Sequence, residues 1–532
     1  YRVDAVSGQV LATGAMDHSS SFAINNPTYA EGMIFVGLSD GTIQAFDAVT
    51  LRSVWIYRDP LKGQPNSPIV YHDGYLYTGF WNGEEKDANY VCLSVTDEDP
   101  TRGDEAKLAT WTYTSKGGFY WAGAYVCDTA VVVPTDDGAN GYVTGHARLL
   151  SLSPKTGFLQ DAVTMAEPGD LRSAVTYDNG QCYFTSKGGY FYRIGLRGDG
   201  TFEPGSLRGL KLYNYANDAA NPAMSTSTPT VYNGRAYVGV SGVGQFKAYS
   251  GHNITVIDLA SWRIAYTVRT QGYPQTSALL TTAYEAETGC VYVYFFDNFT
   301  PGKLRLLRDQ PGQTAPDVTT PETIVAGGQT VTYDTAPVLF TPSGAQQQYA
   351  ICSPITDESG TIYFKNDSAF LMALTSTITK LEITAAPDKT AYREGESFDP
   401  AGMQITAHYA NGYTRDVTKY VTWNTAPLTA ADTRFRLEFP YAMYQNAGGK
   451  TGVACVKPSV MLSLTISTVA AGDVNGDGVV DDLDAALVYG HINGKLTLTD
   501  EQLLRADVNG DGLVEQNDAA QIYAAYLTDT GR

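Results

Sequence analysis

Short apolar runs, alternating or continuous and broken by Asp-Gly, Asn-Gly and Ser-Pro turns, fill most of the chain up to about Ala470 and predict many brief β-strands. One pattern recurs. Residues 26–47 read Asn26-Pro27-Thr-Tyr-Ala, then Met33-Ile-Phe-Val-Gly37, a turn at Asp40-Gly41 and Ile43-Gln-Ala-Phe-Asp47, with Trp55 following. The same order returns at Ser67-Pro68 with Leu76-Tyr-Thr-Gly79, and at Thr228-Pro229 with Ala236-Tyr-Val-Gly239. Weaker copies start near Ala122-Gly123, Ser173-Ala174 and Ser277-Ala278, and a clear last one at Ser353-Pro354 with Leu371–Leu374. Pro27 to Pro68 is 41 residues and Ala174 to Pro229 is 55, the length of a four-stranded propeller blade. Seven starts result. The opening Tyr1–Ala15 segment reads as two outer strands that either complete the Ser353 blade or belong to an eighth, since a propeller closes to leave no unpaired edge.

The pattern changes at Ile378. Alternating strands around Met403-Gln-Ile-Thr-Ala-His-Tyr, with an Asn411-Gly412 hairpin signal, predict a small β-sandwich, and past Ala470 short amphipathic helices begin at Asp484-Ala-Ala and Asp518-Ala-Ala. The expected organisation is mainly β: a seven- or eight-bladed propeller over 1–376, a sandwich over 377–468 and a small α-helical module over 469–532.

A formal charge of −20 opposes the phosphate-tracking surface of a nucleic-acid binder. Much of it is local, with twelve carboxylates against three basic side chains from Ala471 onward. No apolar run reaches the roughly 18 residues of a membrane span. The chain opens on a strand, a Ser7-Gly8 turn and a second strand with no basic-then-apolar leader, which reads as processed or truncated upstream. Cys92, Cys127, Cys182, Cys290, Cys352 and Cys455 stand singly without metal-ligand spacing and are expected as buried free thiols.

The sharpest chemistry lies in the acidic tail. Asp473, Asn475, Asp477, Val479, Asp481 and Asp484 fill positions 1, 3, 5, 7, 9 and 12 of a calcium loop; Asp507, Asn509, Asp511, Leu513, Glu515 and Asp518 fill them again 34 residues on. Calcium takes about seven hard oxygens, and such a loop supplies them from side chains, the position-7 carbonyl and a water held by position 9. Gly478 and Gly512 take the sharp turn at position 6. The paired loops, with Asp rather than Glu at position 12, resemble a type I dockerin. That resemblance implies two Ca2+ ions and docking to a cohesin on a scaffoldin or cell-surface protein. Partner choice would be read at Asp482-Leu483 and Gln516-Asn517, and the unlike pairs argue against a symmetrical dual mode. It also implies an extracellular, cellulosome- or amylosome-type setting in an anaerobic Firmicute.

The repeated Gly-x-Ile/Leu-Tyr/Phe-x-Gly … Asp-Gly … Ala-Phe-Asp-Ala-x-Thr … Trp pattern resembles PQQ-repeat, quinoprotein-like propellers, and Pro387-Asp-Lys-Thr-Ala-Tyr-Arg-Glu-Gly-Glu resembles a bacterial Ig-like domain. Quinoprotein dehydrogenases carry an adjacent cysteine pair over the cofactor, which is lacking here, so no quinone is expected. Residues just ahead of the blade starts, among them Tyr120, Trp121, Asp170, Arg172, Tyr273, Tyr333 and Asp334, offer exposed aromatics and polar groups suited to sugar rings, or else pack blade against blade. The Pro301–Gln348 stretch interrupts the repeat as a functional insertion or a plain loop. Three readings stay open for the propeller: a glycan- or protein-binding module, a polysaccharide hydrolase or lyase, and a purely structural part.

Overall fold

The computed structural model describes residues 1–20, 26–215, 222–241, 251–318, 320–326, 329–441 and 457–529. The chain divides into two compact units, built mainly from residues 1–374 and 375–532.

In the first unit each of the seven starts read from the sequence lies immediately ahead of the first strand of an antiparallel sheet: Thr28–Ala30, Val70–His72, Tyr125–Cys127, Thr176–Asp178, Thr230–Tyr232, Leu279–Thr281 and Ile355–Thr356. Consecutive strands pair within a sheet, and the first sheet gains a parallel edge strand, Glu105–Lys107. Successive side chains on a strand face opposite ways. Hence Val131 and Val133 pack on the second sheet with Tyr90 and Trp111, while Val132 packs on the fourth with Phe184 and Ile194. Six apolar clusters in turn bridge sheets one to seven, which is why these strands read as continuous apolar runs and not as alternating ones. Threonines tie neighbouring first strands: Thr28 Oγ1 donates to the Ile69 carbonyl at 2.7 Å, Thr176 to Pro229 at 2.6 Å and Thr230 to Ala278 at 2.7 Å.

The opening hairpin, Arg2–Val3 with Val10–Ala12, forms a separate two-stranded sheet. Its turn is closed by Asp4 Oδ1 accepting from the Val6 and Ser7 amides, as Asp47 Oδ1 does from Val49 and Thr50 between the outer strands of the first sheet. Arg2 donates to the Val49 carbonyl of the first sheet, and Tyr363 of the seventh makes a long 3.5 Å hydrogen bond to the Ala5 carbonyl.

The Pro301–Gln348 interruption contains a hairpin, Thr320–Ala326 with Gln329–Thr335, before the outer strand Val338–Phe340 of the sixth sheet. Glu322 straps it to Arg305 and Lys303 of that sheet. A one-turn helix α1 (Glu285–Thr288) occupies the first turn of the same sheet. Cys92 and Cys182 are buried, Cys127, Cys290 and Cys352 half-buried, and all five are free thiols. Cys455 lies outside the described residues.

The second unit opens with the sheet Ile378–Ala385, Gln404–Tyr409, Thr414–Asp416, whose tight turn at Asn411-Gly412 uses a glycine φ of 85°. Phe398 meets Phe435 at 4.6 Å and Tyr392 at 6.2 Å between ring centroids, and Ile405 of the middle strand is buried. Helices α2 (Asp482–Ile492), α3 (Asp500–Ala506) and α4 (Gln516–Asp529) follow. They close on Val474, Ala485, Val488, Leu498, Ala506, Ala519 and Ile522. Arg393 donates to the Leu504 and Asp507 carbonyls at the end of α3, and so satisfies acceptors that a helix C-terminus leaves open.

Candidate functional site

In an antiparallel meander the turn from second to third strand and the connection to the next sheet leave from the same end. Loops of both kinds from the second, third and fourth sheets meet around Arg172, which is 4% exposed. Its Nε and Nη2 grip Asp136 as a fork, at 3.1 and 2.6 Å, and Nη2 also reaches Glu84 at 2.7 Å and Asp170 at 2.9 Å. The three carboxylates offer oxygens within 4.8 Å of one another, the spacing of a cation site, and the guanidinium fills the cation's role. Aromatic rings wall the group: Tyr120 lies 4.6 Å, Tyr142 5.7 Å and Trp81 5.9 Å from the guanidinium carbon. Trp121, held at a left-handed φ of 58°, packs against Tyr120 with the rings tilted by 45°. Lys187, 6% exposed, sets its ammonium 4.0 Å from the Tyr142 ring centre.

Burial pushes Asp136 up and Asp170 up to about 6, against the pull of Arg172. Burial, and then the charge of Arg172, bring Lys187 down to about 8. A carboxyl whose native pKa is raised binds more protons folded than unfolded, so its favourable contribution is present at low pH and is lost as pH rises through the native value. The stability of this unit is therefore expected to fall between the ordinary 3.8 and about 6 on account of Asp170. Thermal melts across that range should show the slope, and Asp170→Asn should flatten it; an unchanged slope in the variant would refute the assignment.

Of the residues singled out from the sequence, Tyr120, Trp121, Asp170 and Arg172 come together here. The others do not. Tyr273 is wholly buried, its hydroxyl accepting from the Thr226 amide at 2.7 Å, and so presents no exposed face. Tyr333 is also buried, donating to its cross-strand partner Glu322 within the inserted hairpin, while the next residue, Asp334, is exposed. The sequence left both tyrosines as either exposed stacking groups or packing between blades, and both rings are buried. Sequence reasoning missed Glu84, Trp81, Asp136, Tyr142 and Lys187. The usable signal was position, since Asp136 and Lys187 each stand two residues past the end of a second strand.

In the tail, two loops repeat one hydrogen-bond set. Asp473 Oδ1 accepts from the Gly476 and Asp477 amides and Oδ2 from Gly478; Asp507 does the same with Gly510, Asp511 and Gly512. The position-12 carboxylates reach back, Asp484 to the amides of Asn475 and Asp481, and Asp518 to those of Asn509 and Glu515. Asp473, Asp484 and Asp518 are buried, and among the described residues no basic side chain pairs with them. Carboxylates folded inward without a counter-charge fit a hard divalent cation. Residues 471–526 match the dockerin type I domain.

A dockerin implies calcium binding and docking to a cohesin. Residues 1–85 match the family described as outer membrane protein assembly factor BamB, a PQQ-like repeat. No curated protein matches the chain. Similar solved structures include BamB from Moraxella catarrhalis (11% identity over 74% of this chain and 95% of that one, TM-score 0.40). The computationally designed Ika8 protein (13%, 69% and 100%, 0.42) and a europium-containing methanol dehydrogenase (11%, 66% and 75%, 0.42) are others. Likeness at this level specifies neither ligand nor reaction. On the dockerin helices, Leu483 is 60% exposed at the start of α2, where α4 carries Asn517. Tyr489 and Tyr523 are exposed at equivalent places. Among the described residues no helix is long and apolar enough to cross a membrane.

Proposed function

We propose that the chain is an extracellular component that docks through its dockerin onto a cohesin of a multiprotein assembly and presents a ligand-binding propeller there. The twice-repeated hydrogen-bond set of the calcium loops carries this reading. Asp473, Asn475, Asp477, the Val479 carbonyl, Asp481 and Asp484 would hold one ion, and Asp507, Asn509, Asp511, the Leu513 carbonyl, Glu515 and Asp518 the second. The 377–468 segment would serve as an Ig-like spacer between propeller (1–376) and dockerin (469–532). The opening hairpin is read as the outer half of an eighth blade, supported by its shared Asp turn and its links to the first and seventh sheets.

The unlike recognition pairs favour α2 as the dominant cohesin contact, because an exposed leucine gains more from burial than an asparagine. Leu483→Ala is expected to weaken capture by a cohesin panel about tenfold or more, and Asn517→Ala by less than about threefold. Equal losses from both would point to symmetrical docking.

A second reading makes the propeller a polysaccharide-degrading enzyme. It is favoured by the meeting of a carboxyl and an amine, Asp170 and Lys187, in one loop cluster, where burial raises the first and lowers the second toward the neutral range. Incubation with a glycan panel separates the two. Retention without new reducing or unsaturated ends supports binding, product supports the enzyme, and neither supports a structural role.

A further inference from the structure

We infer that the loop face around Arg172 carries a subsite for a neutral hexose ring of a polysaccharide, seated against Tyr142, with hydroxyls bonded to Lys187 and Glu84. This rests on the reading of the propeller as a ligand-binding domain and narrows it to a sugar class.

Lys187 points to a ligand most directly. It is 6% exposed, yet its ammonium makes no hydrogen bond or ion pair to any described residue. Its close neighbour is the Tyr142 ring, so its N–H donors carry no hydrogen bond to the described residues, and burial depresses its pKa. Arg172, by contrast, has its charge taken up by three carboxylates and contributes shape more than free donors. Asp170 Oδ2 is sealed against the guanidinium at 2.9 Å, whereas Glu84 gives only Oε2 to Arg172 and is 23% exposed, which leaves Oε1 as an acceptor among the described residues. Donor and acceptor thus stand ready together, as a sugar hydroxyl, which both gives and takes, requires.

The charges select the sugar. The Arg172 charge is already shared by Glu84, Asp136 and Asp170, and burial disfavours the Lys187 charge, so the group offers no surplus cation for a uronate or a phosphate. Tyr142 is 49% exposed and Glu84 half-buried, so part of the ring and one carboxylate border solvent, with the Lys187 ammonium resting on the ring where a hydroxyl can draw it off. Its backbone is fixed, the Tyr142 carbonyl accepting from the Asp170 amide at 3.0 Å. A half-exposed aromatic face flanked by fixed polar groups receives the C–H face of a pyranose while orienting its hydroxyls.

The test uses the full chain in calcium buffer, titrated calorimetrically with gluco-, manno-, galacto- and malto-hexaose and with hexagalacturonate. At least one neutral oligosaccharide is expected to bind, with Tyr142→Ala and Lys187→Met each weakening it about tenfold or more. Melting curves confirm that both variants fold, and Lys187→Gln serves in place of Lys187→Met if the latter does not. Preference for hexagalacturonate, or neutral-sugar binding that both variants retain, overturns the subsite while leaving a glycan-binding propeller standing. Failure of every sugar to bind removes the subsite and the glycan branch together, while cohesin capture still reports on the dockerin.

Discussion

Chelation of calcium is expected to unfold residues 471–526 while the sheets of the first unit stay folded. The module has a small apolar core, seven buried side chains from Val474 to Ile522, and modules of this length bury too little surface to be stable unaided. Against that gain stand Asp473, Asp484 and Asp518, folded inward with amide partners but no cation among the described residues. Burying an ionised carboxylate costs several kcal/mol, and two such loops exceed what the core returns. A ligand present at a thousandfold over its Kd contributes about 4 kcal/mol per site, enough to decide whether this module folds. Apart from the single turn of α1, the α-helices of the described residues are α2, α3 and α4. The far-ultraviolet helical signal therefore reports on the module almost alone. It should collapse in excess chelator and return with calcium, and cohesin capture should follow it. A helical signal that survives chelation would mean that the core suffices and the loops are ordinary turns.

Replacing Arg172 by methionine is expected to destabilise the first unit by about 3–5 kcal/mol near neutral pH, because it leaves Asp136, Asp170 and Glu84 facing one another without their shared cation. Methionine keeps much of the aliphatic volume between Tyr120 and Tyr142, so the loss is mainly electrostatic. The pH dependence identifies the cause. Asp136 and Asp170 already titrate above the ordinary carboxylate range because they are buried, and without the guanidinium they move higher still. Raised native values mean stability present at low pH and lost on the way up, so the deficit should be small near about pH 4 and clearly larger at about pH 7. Urea unfolding of the variant at the two pH values measures this. Adding Asp136→Asn and Asp170→Asn to the same chain should recover most of the loss. A deficit that is the same at both pH values would assign Arg172 to packing.

The calcium loops were legible because their chemistry is local. Twelve consecutive residues carry a full ligand set, and hydrogen bonds spanning five residues or fewer shape most of each loop around Asp473 and Asp507. The sheets were legible for a related reason: each repeat carries its own turn residues and apolar strands, and Pro27, Pro68 and Pro229 mark where a sheet begins. Burial on both faces was written in Ala130–Val133, an unbroken apolar run that only a strand packed on two sides tolerates. Tyr273 and Tyr333 stayed undecided, since an aromatic near a loop reads the same whether it faces solvent or the next sheet.

What the sequence by itself determined is therefore the β-rich repeat architecture and a paired calcium module, both encoded at short range. Only the tertiary structure decided which charged side chains share a site. Arg172 is 36 residues from Asp136 and 88 from Glu84, and no local pattern relates them. Their meeting depends on strand direction: alternate turns of three neighbouring sheets are delivered to one end, and there a buried guanidinium, three carboxylates and a lysine resting on the Tyr142 ring are held within reach of one another.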